Sequence, residues 1–329
     1  MSADTATATA RAAAAEAEPV TMRLTAITYA AAETNLFEFR PLDGGDVRPF
    51  QAGAHIDVHL PNGLIRQFSL TNSQDERHRY VVGVKKDPKS RGGSRYMIDE
   101  LRVGTVLKIG GPRNNFPLNE SAPHSILIAG GIGITPMFAM MKRLEAIGAS
   151  WDLYYAVRKP NEIALAEELA QHGGHVHLHV DEEKGGFIDL GAIVKEAPRS
   201  AHLYCCGPTP MLEGFEAVTK SWPYGEAHVE HFTALAPVAS EGGFIVELAK
   251  SGITIEVREG QTILEAVRAA GVDVPSSCEQ GVCGACETRV LSGIPDHRDM
   301  ILSPQEQEAN DTMMICCSGC KSEKLVLDL

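Results

Sequence analysis

The chain is 329 residues long, enough for two or three domains with separate cores. Its hydrophobic share of 44%, its mean hydropathy of −0.09 and the lack of an apolar run of about 20 residues describe a soluble globular chain without a membrane span. The net charge of −13 argues against nucleic acid as a partner.

Residues 1–20 are rich in Ala and Thr, carry no core pattern and lack the apolar centre of a signal peptide, so a disordered tail is expected there. From 21 to 118 the texture is short strands with turn signals. His55–Leu60 alternates, Pro61-Asn62-Gly63 turns, and Leu64–Leu70 returns as the second arm of a hairpin. Tyr80–Val84 and Val106–Ile109 add strands, which together suggest a small β-barrel. On the returning arm, Arg66, Gln67, Phe68 and Ser69 offer a cation, an aromatic face and a hydroxyl, which suits an anionic planar cofactor such as a flavin. Arg91-Gly92-Gly93-Ser94 follows, just before a helical segment, and has the make-up of a phosphate cradle.

Residues 119–232 alternate strand and helix, the signature of a doubly wound parallel sheet. Ser125–Ala129 is an apolar strand, Met137–Ile147 an amphipathic helix closed by Gly148, and Trp151–Val157 the next strand. His202–Cys205 forms a later strand, and Pro210 opens a helix to Trp222. The turn Gly130-Gly131-Ile132-Gly133-Ile134-Thr135-Pro136-Met137 lies between strand and helix, where glycines let a pyrophosphate approach backbone N–H groups. Cys206-Gly207-Pro208 ends a second strand and strengthens the nucleotide reading. His175, His177 and His179 alternate on one strand; the polar face of an edge strand explains them better than a metal does. Arg158 and Lys159, after the strand that follows the glycine turn, could accept a 2′-phosphate, which leaves NADH against NADPH open at this point.

Residues 233–243 have linker composition. Phe244–Leu248 and Ile253–Val257 form a hairpin, and Thr262–Ala270 a helix. Cys278, Cys283 and Cys286 then give C-x4-C-x2-C, with a distant fourth cysteine at Cys316 or Cys317. That is the plant-type [2Fe–2S] spacing. Thiolates suit iron–sulfur clusters, and the Ser- and Gly-rich loop can wrap them closely. A structural zinc ribbon from Cys283-x2-Cys286 and Cys317-x2-Cys320 is the rival, but it strands Cys278. His297-Arg298-Asp299 spells a kinase triplet without the motifs that should accompany it. Residues 241–329 hold fifteen Asp and Glu against seven Lys and Arg. Plain solubility and a negative docking face explain that equally well.

These motifs, in this order, resemble the phthalate dioxygenase reductase family from about Met22 to Leu329. Arg66-x-Phe68-Ser69, Gly92-Gly93-Ser94, Gly130–Met137, Cys206-Gly207-Pro208, Glu230-x-Phe232, the cysteine loop and Leu325–Leu329 carry the resemblance. It implies a flavin-binding β-barrel (21–118), a doubly wound nicotinamide-binding domain (119–232) and a C-terminal α+β ferredoxin (244–329). The implied cofactors are FMN, NADH and a [2Fe–2S] cluster. Arg66, Gln67, Phe68 and Ser69 would line the flavin ring, with Ser69 near N5, and Gly92, Gly93 and Ser94 would hold its phosphate. Gly131, Gly133, Thr135, Pro136, Gly207 and Pro208 would hold the dinucleotide, Cys206 would stand beside the nicotinamide, and Phe232 would cover the flavin. The family register selects Cys316 as fourth ligand. Phe68 stands where the family usually has Tyr, so one hydroxyl is missing. Catalytic roles fall to Ser69, Cys206 and Phe232.

The implied activity is conversion of a two-electron donor into single electrons for a terminal Rieske-type oxygenase acting on an aromatic or other small organic acid. A monomer in a reducing cytoplasm, without nucleic acid or membrane, is the expected setting. A free-standing flavin or ferredoxin reductase and a nucleotide-binding protein with a zinc module are the alternatives.

Overall fold

The computed structural model describes residues 18–329 apart from Lys89 and Tyr224; most of the tail expected over residues 1–20 lies outside the described residues, and the first strand begins at Val20. The chain forms two compact units, one of them Pro19–His231 and the other containing Phe232–Leu329.

In the first unit, β1 (Val20–Ala31), β2 (Thr34–Pro41), β3 (His55–His59), β4 (Ile65–Ser69), β5 (Tyr80–Lys85) and β6 (Val106–Arg113) pair antiparallel in the order β4-β3-β6-β1-β2-β5. A bridge between Leu70 and Val82 joins the two end strands, so the sheet closes on itself. Phe37, Phe39, Ile56, Val58, Leu70 and Val82 fill its interior, and Met97 of α1 (Gly93–Asp99) completes the core. The alternation of β3 does not mark a solvent face: His55 and Asp57 are buried as well. Arg113 makes that tolerable, because its guanidinium grips Asp57 at 2.6 and 2.7 Å, and a buried charge needs such a partner.

The rest of this unit is a parallel sheet of β7 (Ser125–Gly130), β8 (Trp151–Val157), β9 (Val176–Val180), β10 (His202–Cys206) and β11 (Ala227–Glu230), ordered β11-β10-β7-β8-β9. Strand order reverses between β7 and β10, which creates the crevice where such sheets bind ligands. One face buries Met137, Met140 and Leu144 of α2 (Ile134–Ala146) and Leu169 of α3 (Ala166–Leu169). The other buries Ile193 and Val194 of α5 (Leu190–Glu196) and Leu212 and Phe215 of α6 (Thr209–Thr219), so the sheet is covered on both sides. A one-turn helix α4 (Asp181–Lys184) follows β9. α2 starts three residues before the expected Met137 because Pro136 fits a helix's first turn. α6 stops before the expected Trp222, whose indole N–H instead donates to Ala201 O at 3.1 Å.

In the second unit, β12 (Phe244–Leu248), β13 (Ile253–Val257), β14 (Glu287–Ser292), β16 (Thr312–Met314) and β18 (Lys324–Leu327) form a sheet ordered β13-β12-β18-β14-β16, beside the small pair β15 (Pro295–Asp296) and β17 (Gly319–Cys320). The C-terminal strand β18 runs parallel to β12 at the sheet centre. α7 (Ile263–Ala269) packs Leu264 and Val267 on this sheet, and its N-terminus carries a capping box between Thr262 and Glu265. A second capped helix, α8 (Pro304–Ala309), precedes β16. The stretch expected as a linker is docked in its second half: Ala239 N–H donates to Cys317 O at 2.7 Å, and Glu241 pairs with Arg298.

Candidate functional site

The four cysteines of the plant-type spacing converge. Cys278, Cys283, Cys286 and Cys316 are each only 2–4% exposed. Their thiols feel one another: Cys283 and Cys316 both act on the Cys278 thiol, and Cys316, with burial, pushes the Cys286 thiol well above the usual range. The loop wraps them by visiting positive φ at Glu279 (54°), Gly281 (73°) and Gly284 (75°), which aims the Gln280 and Val282 N–H groups at the Cys278 sulfur, at 3.3 and 3.5 Å. Donors so placed stabilise thiolate charge and set cluster potential. Among the described residues no three His, Cys, Asp or Glu side chains are placed to hold one metal ion; four thiols shared between two irons need not be.

The zinc pairing is not formed. Cys317 faces the back of the loop, so close that a Cβ on Gly281 would strike its sulfur, and it donates to Met314 O at 3.7 Å. Cys320 donates to Ser322 O at 2.8 Å. Sequence reasoning passed over Asp299 beyond its place in a false kinase triplet. Its Oδ1 accepts the N–H groups of Ile301 and Leu302 at 3.0 and 2.8 Å, and the neighbouring Met300 N–H donates to Gly281 O, so this turn props the cysteine loop.

In the barrel, Arg66 and Gly93 meet: a Cβ on the glycine would lie 2.5 Å from Arg66 Cγ, so the arginine stem fills the space beside the Gly92–Gly93 turn. Gly92 has φ 96°, which turns the chain into α1 beside that guanidinium. A cation beside the first turn of a helix, where N–H groups lack intrahelical partners, fits a phosphate. The Ser94 hydroxyl accepts from Asp87 N–H at 3.2 Å and steadies the turn. Gln67 donates to Asp57 Oδ1 at 2.8 Å, Ser69 is buried opposite His55, and Phe68 lies partly buried against the barrel core. Burial alone would raise the Asp57 carboxyl, yet Arg113 outweighs it and holds the group at about 2. Burial, aided by Arg113, drives His55 down to about 3, so its imidazole is neutral.

The two nucleotide turns leave adjacent strands, since Ala129 pairs with Cys206 in register. They touch backbone to backbone: a Cβ on Gly133 would collide with the Cys206 carbonyl, and one on Gly130 would lie 2.6 Å from Pro208 Cδ. Gly131 takes φ 54°, and Thr135 Oγ1 donates to Ile132 O at 2.9 Å. Such glycines fit a pyrophosphate lying on the turn. Cys206 itself is fully buried, and burial followed by the nearby Glu230 carboxyl pushes its thiol far above the usual range. It is a neutral thiol, so it can pack and orient but not attack as a thiolate. Phe232 is 40% exposed. The histidines of β9 are engaged one by one: His177 faces Asp152 at 3.2 Å and His179 faces Gly186 O at 2.8 Å. Arg158, the cation raised for a 2′-phosphate, stands 3.8 Å from the Glu162 carboxylate and is otherwise largely exposed.

A flavin barrel, a nicotinamide-nucleotide sheet and a plant-type ferredoxin define an electron-transfer reductase. Residues 127–217 match the oxidoreductase NAD-binding domain, and residues 246–321 match the 2Fe-2S iron-sulfur cluster binding domain. The chain is 53% identical over 311 residues to phenoxybenzoate dioxygenase subunit beta of Ectopseudomonas oleovorans, covering 94% of this chain and 98% of the relative. It is 48% identical over 317 residues to tetrachlorobenzoquinone reductase of Sphingobium chlorophenolicum, with the same coverage. The solved structure of phthalate dioxygenase reductase superposes with a TM-score of 0.71 at 40% identity, covering 94% of this chain and 98% of that one. The chain belongs to the phthalate dioxygenase reductase family, and is an NADH-dependent reductase component for oxygenases that uses FMN and a [2Fe–2S] cluster.

Proposed function

We propose that this reductase serves a terminal Rieske-type oxygenase acting on an aromatic or other small organic acid, as a monomer in the cytoplasm, with modules at 21–118, 119–232 and 244–329. The kinship at 53% identity with a dioxygenase subunit carries this reading. Bound FMN would supply the chemistry that joins a two-electron donor, NADH, to a one-electron acceptor, the cluster.

The chain's own residues supply position and dryness. The glycine turns at 130–133 and 206–207 fix the dinucleotide's phosphates by backbone approach. Thr135 buttresses the first turn through Ile132 O, and it also packs on Gly83 of the flavin barrel. Arg66 and Gly93 take the flavin phosphate, Gln67–Ser69 the ring edge, and the buried neutral Cys206 sets the depth of the nicotinamide pocket. The thiolates of Cys278, Cys283, Cys286 and Cys316 would hold the irons, with the Gln280 and Val282 N–H groups damping the charge on Cys278.

A second reading is favoured by the tetrachlorobenzoquinone reductase relative: a quinone taking electrons without an oxygenase. Anaerobic titration with NADH, followed by visible spectra and then by addition of either a Rieske oxygenase or a quinone, tests both. Bleaching of flavin and iron–sulfur bands with reoxidation by the oxygenase alone is the expected result. Reoxidation by quinone alone would replace the first acceptor with the second, and an unbleached iron–sulfur band would reject both.

A further inference from the structure

Phe187 is 89% exposed, the most exposed large apolar side chain among the described residues. A phenyl ring held in water forgoes the stabilisation that burial gives. Yet the turn that carries it is ordered. Gly185 and Gly186 N–H groups both donate to Asp181 O, at 2.9 and 3.3 Å, and His179 Nε2 lies 2.8 Å from Gly186 O. Asp189, two residues on, caps α5 by accepting the Ala192 N–H at 2.9 Å. The ring is therefore presented from a built turn.

Its place in the fold says to what. In the order β10-β7-β8-β9, Val157 pairs with Val180, so the turn after β9 leaves the carboxyl edge of the sheet next to Arg158. Along that edge come Cys206, the glycine turn of β7, Arg158 and then the Phe187 turn. A dinucleotide with its phosphates on the glycine turn and its nicotinamide toward Cys206 must send its adenosine the other way, over β8 toward β9. Two strand spacings, about 10 Å, separate β7 from β9, a span one nucleoside covers. An aromatic face there can stack on a purine without any need for directed polar groups.

We propose that Phe187 is the stacking platform for the adenine of NADH. This rests on the nicotinamide-nucleotide reading of the sheet. The test is calorimetric titration of the holoprotein with ADP-ribose, which carries the adenosine half and no nicotinamide. Phe187→Ala is expected to weaken ADP-ribose binding about tenfold, while Phe187→Trp stays within about twofold of the parent protein. Equal weakening by both variants would show that the turn's shape matters and the aromatic face does not, which overturns the proposal. So would unchanged binding by Phe187→Ala, which would leave the ring to a protein partner. A parent protein that binds no ADP-ribose while NADH still reduces its flavin would overturn the adenosine placement, whereas failure of both would reject the nucleotide reading itself.

Discussion

Gly83 of the flavin barrel and Thr135 of the nucleotide turn meet so closely that a Cβ on the glycine would stand 2.6 Å from Thr135 Cγ2. Gly83 follows Val82, which bridges to Leu70 at the end of the flavin strand. The contact therefore sets the height of the nucleotide turn over the strand that carries Ser69.

Gly83→Ala should push that turn away. Overpacking of this kind costs about 1–3 kcal/mol, and a misplacement of about 1 Å between reacting groups can slow a reaction about a hundredfold. Stopped-flow reduction of the flavin by NADH should fall at least about tenfold. Thr135→Ser removes the offending methyl and keeps the hydroxyl that bonds Ile132 O. The Gly83→Ala/Thr135→Ser double variant should recover most of the rate; a double variant as slow as the single one would refute the steric account.

Asp57 and Arg113 lie fifty-six residues apart in sequence and form a buried bidentate pair that also anchors Gln67 of the flavin strand. Arg113→Met leaves the carboxylate buried without its charge partner, which costs about 3–5 kcal/mol. Unfolding of this unit, followed by flavin release on urea titration, should shift to markedly lower denaturant. An unchanged midpoint would mean that Asp57 finds another partner. The folded carboxyl sits at about 2 against an ordinary 3.8, so the stability it lends is present above pH 3.8 and lost as pH falls toward 2.

Much of this was legible in the sequence, for local reasons. The cysteine spacing, the glycine turn between Ser125–Ala129 and the following helix, and the strand–helix alternation are contiguous patterns. What escaped was non-local. Nothing near Asp57 announces Arg113, and alternation in His55–Leu60 reads as a solvent face until the partner strand arrives. Cys316 and Cys317 are neighbours that differ only in which way the chain turns after β16. The thiol count could not separate them; in the structure it is the Cys317 sulfur that a Cβ on Gly281 would strike.

Cys316→Ser and Cys317→Ala should therefore part company. The first removes a thiolate from the converging set, and the iron–sulfur absorbance and its electron paramagnetic resonance signal should be lost. The second leaves a small void behind Gly281, with a stability cost of about 1–2 kcal/mol, and the cluster signal should persist. Cys283→Ser should likewise abolish electron delivery beyond the flavin while NADH still bleaches it. A cluster retained in Cys316→Ser and lost in Cys317→Ala would reverse the ligand assignment.

Glu230 closes β11 in register with Cys206, and its Oε2 is buried without a hydrogen-bond partner in the structure. Burial raises its carboxyl from 4.5 to about 8. The folded protein thus keeps a proton there that the unfolded chain releases above 4.5, and the unfolded state binds fewer protons between those values. Stability associated with this group is full below 4.5, declines as pH rises, and is gone above about 8. The residue as a whole is only partly buried, which moderates the loss to about 2–4 kcal/mol. Glu230→Gln keeps a neutral group of the same shape, so its urea midpoint should be nearly flat across that interval while the parent protein's falls. Parallel pH profiles for the two would show that the carboxyl reaches water and ionises at its ordinary value.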